Sequence, residues 1–446
     1  MHAVRRLVVL RAGLGLLLAV EAVLVAAAVR HTYDERNVLV FEAAALVVFV
    51  VAVLALARAA LSRWVVLAFG AVLQLIAIQR PPVDSDDDFR YLWDGKVQLA
   101  GVDPYRYPPS SPALGHLRDN YLFPSGACAH YPLPSGACTR INLPTVHTIY
   151  PPVAEGVFTL IRIVSFGRGD QFPLQVAAAL GALVVAWLLS RQGRSVWAVA
   201  LWAWCPVTAI ELSNNAHIDW LAVLLGVLSL SACAKGRLGT AGMLLGAAFA
   251  TKLYPGVLGS AMLKRRRWPV LAGSAVATVV VVYLPHVVAV GTSVVGYLPT
   301  YLNQGGYGNG HQYRLLALVL PTTARTPAAV VIVIAAVAWA LLRSDPDHPE
   351  RSALIVMGVS ILVVTPTLPW YTLLLLALAA LAERPEWLGV IAAPTIEYLL
   401  VGAEKVSLDA ATSWCYLAGL AILLGGTALR RGRPAGTAGA ALTRCS

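Results

Sequence analysis

The sequence predicts an all-α, polytopic membrane protein with about twelve crossings. Three observations predict it. The chain of 446 residues is 58% hydrophobic and only 13% charged. Its apolar residues fall in long unbroken runs, many reaching the roughly 20 residues that a helix needs to cross a ~30 Å hydrocarbon core. Its cations gather at the ends of those runs, as in Arg5/Arg6/Arg11, Lys264–Arg267 and Arg430/Arg431/Arg433, which is how cytoplasmic loops are marked. The net charge of +11 therefore reads as membrane orientation and not as a nucleic-acid footprint. A β-barrel would instead show alternating strands of about ten residues.

The N-terminus, basic and then apolar through Ala28, has the outline of a secretory signal. The run is long and a second span follows at once, so an uncleaved first helix is expected. Glu21 inside it is costly in lipid and should face other helices. Spans are expected near 10–29, 38–57, 64–80, 172–190, 196–213, 217–234, 269–286, 326–343, 353–366, 369–382, 388–402 and 411–428. Two further apolar segments do not fit as full crossings: 153–166 is short, and 239–263 carries Lys252 and Pro255 in its middle. Both are expected to be re-entrant or broken, which is tolerated where backbone lines a protein-walled cavity. Residues 1–429 then form one integral-membrane domain, 430–446 a cytoplasmic basic tail, and both termini lie in the cytoplasm.

This topology leaves a large outer loop after the third span, 81–152, and a second at 287–325. The first is rich in aromatic residues, which favours an ordered cap over a disordered linker. It carries five aspartates in Asp84-Ser85-Asp86-Asp87-Asp88-Phe89-Arg90-Tyr91-Leu92-Trp93-Asp94. It also carries Cys128 and Cys138, each ending a Pro-Ser-Gly-Ala-Cys phrase; an oxidising exterior would let them pair, and two free thiols are the alternative. Neither a zinc spacing nor a second cysteine pair points to metal. The second loop, together with Asn214–Asp219 and Thr365–Tyr371, adds polar groups on the same side.

Carboxylates beside a bilayer can act on a polar substrate while the lipid phase delivers a greasy one. Asp86 and Asp87 are the candidates for a general base, because neighbouring like charges raise one carboxylate's affinity for a proton. Asp84 and Asp88 are alternatives, and the same acids suit the start of a helix. Arg90, Arg140, His147, His311 and Arg314 are candidates for holding an anionic group; loop salt bridges would also account for them. His217 and Asp219 stand at a helix start, where capping competes with substrate binding. Lys252 is either a functional intramembrane charge or a snorkelling one. No Gly-rich nucleotide loop occurs in a strand–helix context.

Ser85–Gly95, followed by Ala100-Gly101-Val102-Asp103-Pro104-Tyr105, resembles the first outer loop of bacterial membrane mannosyltransferases of the C-type glycosyltransferase superfamily. Tyr150-Pro151-Pro152, Thr251-Lys252-Leu253-Tyr254-Pro255 and Pro369-Trp370-Tyr371 are similar to recurrent elements of glycosyltransferase family 87. The chain departs from the pattern at Asp88, Phe89 and Asp103, and in the cysteine-bearing insertion. The resemblance implies an inverting transfer of a sugar, mannose before arabinose, from a polyprenyl-phosphate donor to a glycolipid or lipoglycan. It places the reaction on the extracytoplasmic face of the plasma membrane and puts the base at Asp86 or Asp87. No cofactor is expected beyond the lipid-linked donor, and no divalent metal. The competing expectation is a transporter or flippase of lipid-linked sugars, which would place its ionisable groups near the midplane and show internal repeats; neither is evident here.

Overall fold

The computed structural model describes residues 2–30, 35–264, 266–402 and 407–431. Arg433, Cys445 and nearly all of the basic tail lie outside them. The architecture is all-α. Its strands, β1 (Tyr131–Pro132) and β2 (Cys138–Thr139), form one short antiparallel hairpin in the outer loop. Six helices among the described residues are long and apolar enough to cross a membrane: Arg5–Ala28 within α1 (His2–Ala28), Val40–Ala59 within α2 (Glu35–Ala59), Phe172–Arg191, Trp268–Gln304, Thr322–Arg343 and Leu408–Arg431.

Between α2 and the outer loop runs α3 (Arg63–Ala77), and the loop itself folds around α4 (Asp87–Leu99). The chain returns to the bundle through α5 (Pro152–Val164), α6 (Phe172–Arg191) and α7 (Val196–Ala203). The predicted straight span 196–213 is bent: α7 stops and a wider, π-helical turn, Thr208–Asn214, leaves at 48°. Pro206 lies in the break, where a missing N–H and ring clashes prevent a continuous helix. Next come α8 (Asp219–Ala234) and α9 (Leu238–Phe249), both shorter than a full crossing.

Segment 239–263 is interrupted, as its Lys252 and Pro255 require. α9 ends at Phe249, and a 3₁₀ turn at Tyr254–Leu258 leads into α10 (Gly259–Met262). The remainder is α11 (Trp268–Val290), α12 (Leu298–Gln304), α13 (Arg314–Ala317), α14 (Thr322–Arg343), α15 (Pro349–Val364), α16 (Leu373–Leu381), α17 (Leu388–Gly402) and α18 (Leu408–Arg431). The expected spans at 64–80, 217–234, 353–366, 369–382 and 388–402 are thus helices shorter than a typical crossing. Segment 153–166 is α5, which packs along α4.

Small residues set the closest helix approaches, as expected where lipid supplies no hydrophobic drive between helices. Gly242 and Gly246 on α9 face the backbone of α11 at Leu271 and Ala275, leaving no room for a Cβ. On the outer side, a Cβ at Gly95 of α4 would stand 2.7 Å from the Phe158 carbonyl of α5. The main core is aliphatic, with Trp202 and Trp204 buried in it and their indole N–H groups bonded to the Ala182 and Val66 carbonyls. α11 is the opposite case: Leu271 is its one fully buried residue, and apart from the side packed on α9 its surface is largely open to lipid. Glu21 and Glu42 are fully buried between helices, which meets the expectation for Glu21.

Candidate functional site

The site is assembled where the segment after α3 crosses the turn before α8. Asn214 binds the carbonyls of Ala77, Arg80 and Pro81 through its amide nitrogen and accepts from the Val83 N–H at 3.0 Å. Asn215 accepts from the same N–H and donates to Asp84 and Glu211. These two asparagines fix the approach to α4. Asp86 is the residue before the helix, and Asp87 and Asp88 lie in its first turn, where the helix dipole favours negative charge.

The three acids have different surroundings. Asp87 is half-buried and held from several sides: Tyr150 Oη donates at 2.9 Å, Asn142 Nδ2 at 3.0 Å, and Tyr91 Oη approaches at 3.5 Å. Asp86, also half-buried, accepts from Tyr131 of the β-hairpin at 2.6 Å. Asp88 points inward. No other side chain bonds its oxygens among the described residues, and burial, then Asp86 and Asp87, push its pKa well above the usual carboxylate range, against a smaller lowering by the backbone amides at the helix start. Asp88 therefore belongs to the packing beneath the site.

Two turns along the same stripe of α4, a second polar cluster is sealed from solvent. Arg90 forms an ion pair with Asp94 at 2.9 Å and donates to the Val146 carbonyl. Glu155 of α5 accepts from Thr148 at 2.7 Å and Gln98 at 2.9 Å. Burial raises the pKa of both Asp94 and Glu155. Arg90 opposes the rise at Asp94, while Asp94 adds to it at Glu155. Arg90 was a candidate for substrate phosphate; it is spent within this cluster, because its i,i+4 partner is an aspartate in the same motif.

Beside Asp87 lies the second half of the site. Lys252, at the break after α9, pairs with Asp219 at 3.0 Å. Its ammonium also stands 5.7 Å from the centroid of the Tyr150 ring and 5.6 Å from that of Tyr371. Tyr254 donates to Asp219 at 2.9 Å. His217 is fully buried and packs against Trp370 with ring centroids 4.0 Å apart and the planes tilted by 31°. Tyr371 meets Tyr301 of α12 through their hydroxyls at 3.1 Å. From Tyr254 and Tyr371 a cavity of about 220 Å³ extends between the 3₁₀ turn after α9 and α15, with Val257, Tyr307, Met357 and Ile361 among its lining residues. Its walls are mostly apolar. Among the described residues, no three of His, Cys, Asp and Glu converge as a metal site would need.

The sequence-predicted residues thus divide. Asp84, Asp86, Asp87, His217, Asp219 and Lys252 come together. Arg140 does not join them; it lies over the rings of Tyr121 and Phe89. Arg314 pairs with Asp409 of α18 at 2.6 Å, His311 is exposed, and His147 is half-buried without a hydrogen bond among the described residues. The second outer loop reaches the site through Tyr301 and Tyr307 instead. Cys128 and Cys138 form a disulfide that closes the hairpin bearing Tyr131. Sequence reasoning missed Glu211, Asn142 and Tyr131 as partners of the acids. Glu211 carried a readable signal, an acid inside a predicted apolar span.

Residues 148–366 match the model of glycosyltransferase family 87. This stretch is a glycosyltransferase family 87 domain. Family 87 is a family of glycosyltransferases, and the match indicates that activity in a chain with helices long and apolar enough to span a membrane. It spans the half of the site that holds Tyr150, His217, Asp219, Lys252 and Tyr254, and begins after the aspartate motif. No curated protein and no solved structure matches the chain significantly.

Proposed function

We propose that the protein transfers mannose from a polyprenyl-phosphate mannose donor to a glycolipid or lipoglycan acceptor, with inversion at the anomeric carbon. The observation that carries this reading is the meeting of Asp87 and Lys252 on Tyr150, at the edge of an apolar cavity. An oriented carboxylate, a cation and a greasy pocket are what transfer from a lipid phosphate requires.

In this reading Asp87 takes the proton of the acceptor hydroxyl. The acceptor oxygen attacks C1 of the sugar, and the bond from C1 to the phosphate oxygen breaks. Polyprenyl phosphate leaves with the bonding electrons, its charge met by the Lys252 ammonium. Tyr150 and Asn142 hold Asp87 with neutral donors, so it stays free to accept a proton. Asp219 and Tyr254 aim Lys252. Near-apolar walls at Val257, Met357 and Ile361 receive the first part of the polyprenyl chain. The active site then faces the extracytoplasmic side of the plasma membrane, with both termini cytoplasmic, and the lipid-linked donor is the one cofactor-like partner.

The test is transfer of label from radiolabelled polyprenyl-phosphate mannose to a membrane lipid extract by purified protein. Alkali-stable labelled glycolipid sensitive to an α-mannosidase is expected. No product with that donor would remove mannose, and no product with any polyprenyl-phosphate sugar would return the flippase reading.

A further inference from the structure

Behind the aspartates lies a buried array that the transfer chemistry above does not use. Ser85 Oγ is 2.9 Å from His217 Nε2. His217 Nδ1 is 2.9 Å from the Glu211 carbonyl oxygen and 3.3 Å from its Oε2. Both His217 and Glu211 are fully buried, whereas Ser85 is half-buried and borders the open site. The Asp87 N–H donates to Ser85 Oγ at 3.3 Å. A carboxylate, an imidazole and a hydroxyl are therefore lined up, with only the hydroxyl in reach of substrate.

We propose that Glu211 and His217 are positioning residues that hold Ser85 as a hydrogen-bond donor to a substrate oxygen beside Asp87, an inference that rests on the transfer reading above. The logic is one of proton inventory. With His217 protonated, Nδ1–H is taken by Glu211 and Nε2–H points at Ser85 Oγ. Ser85 then accepts from His217 and from the Asp87 amide, and its own proton is left for the substrate. With His217 neutral and Nδ1 protonated, Nε2 becomes an acceptor. The Ser85 proton turns inward and the substrate loses its donor.

The charges facing His217 favour the first state. Glu211 comes from the π-helical turn; Asp84 and Asp87 come from the segment into α4, and Asp219 from α8. Glu42 of α2 lies behind Glu211, fully buried, and is not one of the charges that raise the His217 pKa. Lys252 and Tyr254 both bind Asp219. Trp370 contributes an aromatic face. Burial opposes protonation of His217, but Glu211, then Asp87 and Asp219, outweigh it and raise its pKa above the ordinary value.

The experiment compares the pH profile of transfer for wild type, His217→Gln, His217→Ala and Ser85→Ala, alongside melting temperature against pH. Wild-type transfer should fall as pH rises through the raised His217 pKa. A glutamine amide donates to Ser85 at every pH, so His217→Gln should lose that alkaline fall while keeping more activity than His217→Ala. Ser85→Ala should cost about 10-fold, the loss of one hydrogen bond to a charged or polarised partner. Separate KM values show whether donor or acceptor supplies the oxygen. An alkaline limb unchanged in His217→Gln, or Ser85→Ala at the wild-type rate, overturns the proposal. If wild type transfers nothing from any donor, the functional reading fails instead, and the melting curves still decide the protonation. A protonated His217 stabilises the fold below its unfolded pKa, and that contribution disappears as pH rises through the folded one. Wild type should therefore lose stability relative to His217→Gln on raising the pH, and parallel curves would sink the inference.

Discussion

Asp87 and Asp94 stand seven residues apart on one stripe of α4, both turned toward the start of α5. At the first, the chain supplies neutral donors, Tyr150 and Asn142, and leaves the carboxylate half-open beside Lys252. At the second it supplies a guanidinium, a neighbouring Glu155 and no solvent. On the proposed mechanism, the same side chain reacts in one place and is structural in the other. What differs is the partner and the access. A carboxylate oriented by neutral hydrogen bonds keeps its charge available, whereas one bound to Arg90 in a closed interior has already used it. The comparison also explains why a run of acids in a sequence overstates the number of candidate bases.

The comparison breaks most sharply at Asp87. Asp87→Asn should lower kcat by about 10²–10⁴-fold, the usual contribution of a general base, with the melting temperature nearly unchanged. Arg90→Ala should do the reverse. Removing one partner of a buried ion pair costs about 3–5 kcal/mol, read as a fall in thermal stability, while activity per folded molecule stays within a few-fold. A third substitution, Lys252→Met, should weaken donor use by about 10–100-fold, as expected for a charge-assisted hydrogen bond, and should spare acceptor KM.

Smaller effects sharpen the boundary between the two regions. Tyr131→Phe removes one hydrogen bond from Asp86 and should cost under about 10-fold in kcat/KM, with acceptor KM moving most. The smallest effect is expected at Asp119. Partial burial works against its ionisation, but a hydrogen bond from Lys96 and the amides of Leu122 and Tyr121 hold its pKa below the ordinary value. Its contribution to stability is present above the unfolded pKa and is lost as pH falls through the folded one. Asp119→Asn should flatten a small acid-side loss of stability and leave transfer near neutrality unchanged.

Much of this could be read in the sequence. Continuous apolar runs announced the membrane helices, and Lys252 and Pro255 announced the break after α9. The loop acids, Lys252, His217 and Asp219 were selected because charged and polar groups at membrane edges are costly and converge on one side. The bend at Pro206 was hidden because the residues on both sides of it are apolar, so hydrophobicity stayed high through the break. Arg90 was misplaced because a guanidinium beside acids looks like a phosphate ligand until burial is known, although its i,i+4 spacing from Asp94 already offered an internal partner. Arg140 and Arg314 lie apart from the acids for a different reason: their partners, the Tyr121 and Phe89 rings and Asp409, are brought in by tertiary packing. Tyr150, Tyr254 and Tyr371 were visible as motif residues, but their hydroxyl and ring contacts with Asp87, Asp219 and Lys252 depend on three segments far apart in the chain.

The most direct test of the account is the initial rate of label transfer from polyprenyl-phosphate mannose by folded Asp86→Asn and Asp87→Asn, measured side by side with Asp94→Asn. Loss of transfer in Asp87→Asn, with both other variants retaining activity per folded molecule, is the predicted result. Undiminished transfer by Asp87→Asn, or loss confined to Asp86→Asn, would contradict the assignment of the base and the contrast between the two ends of α4.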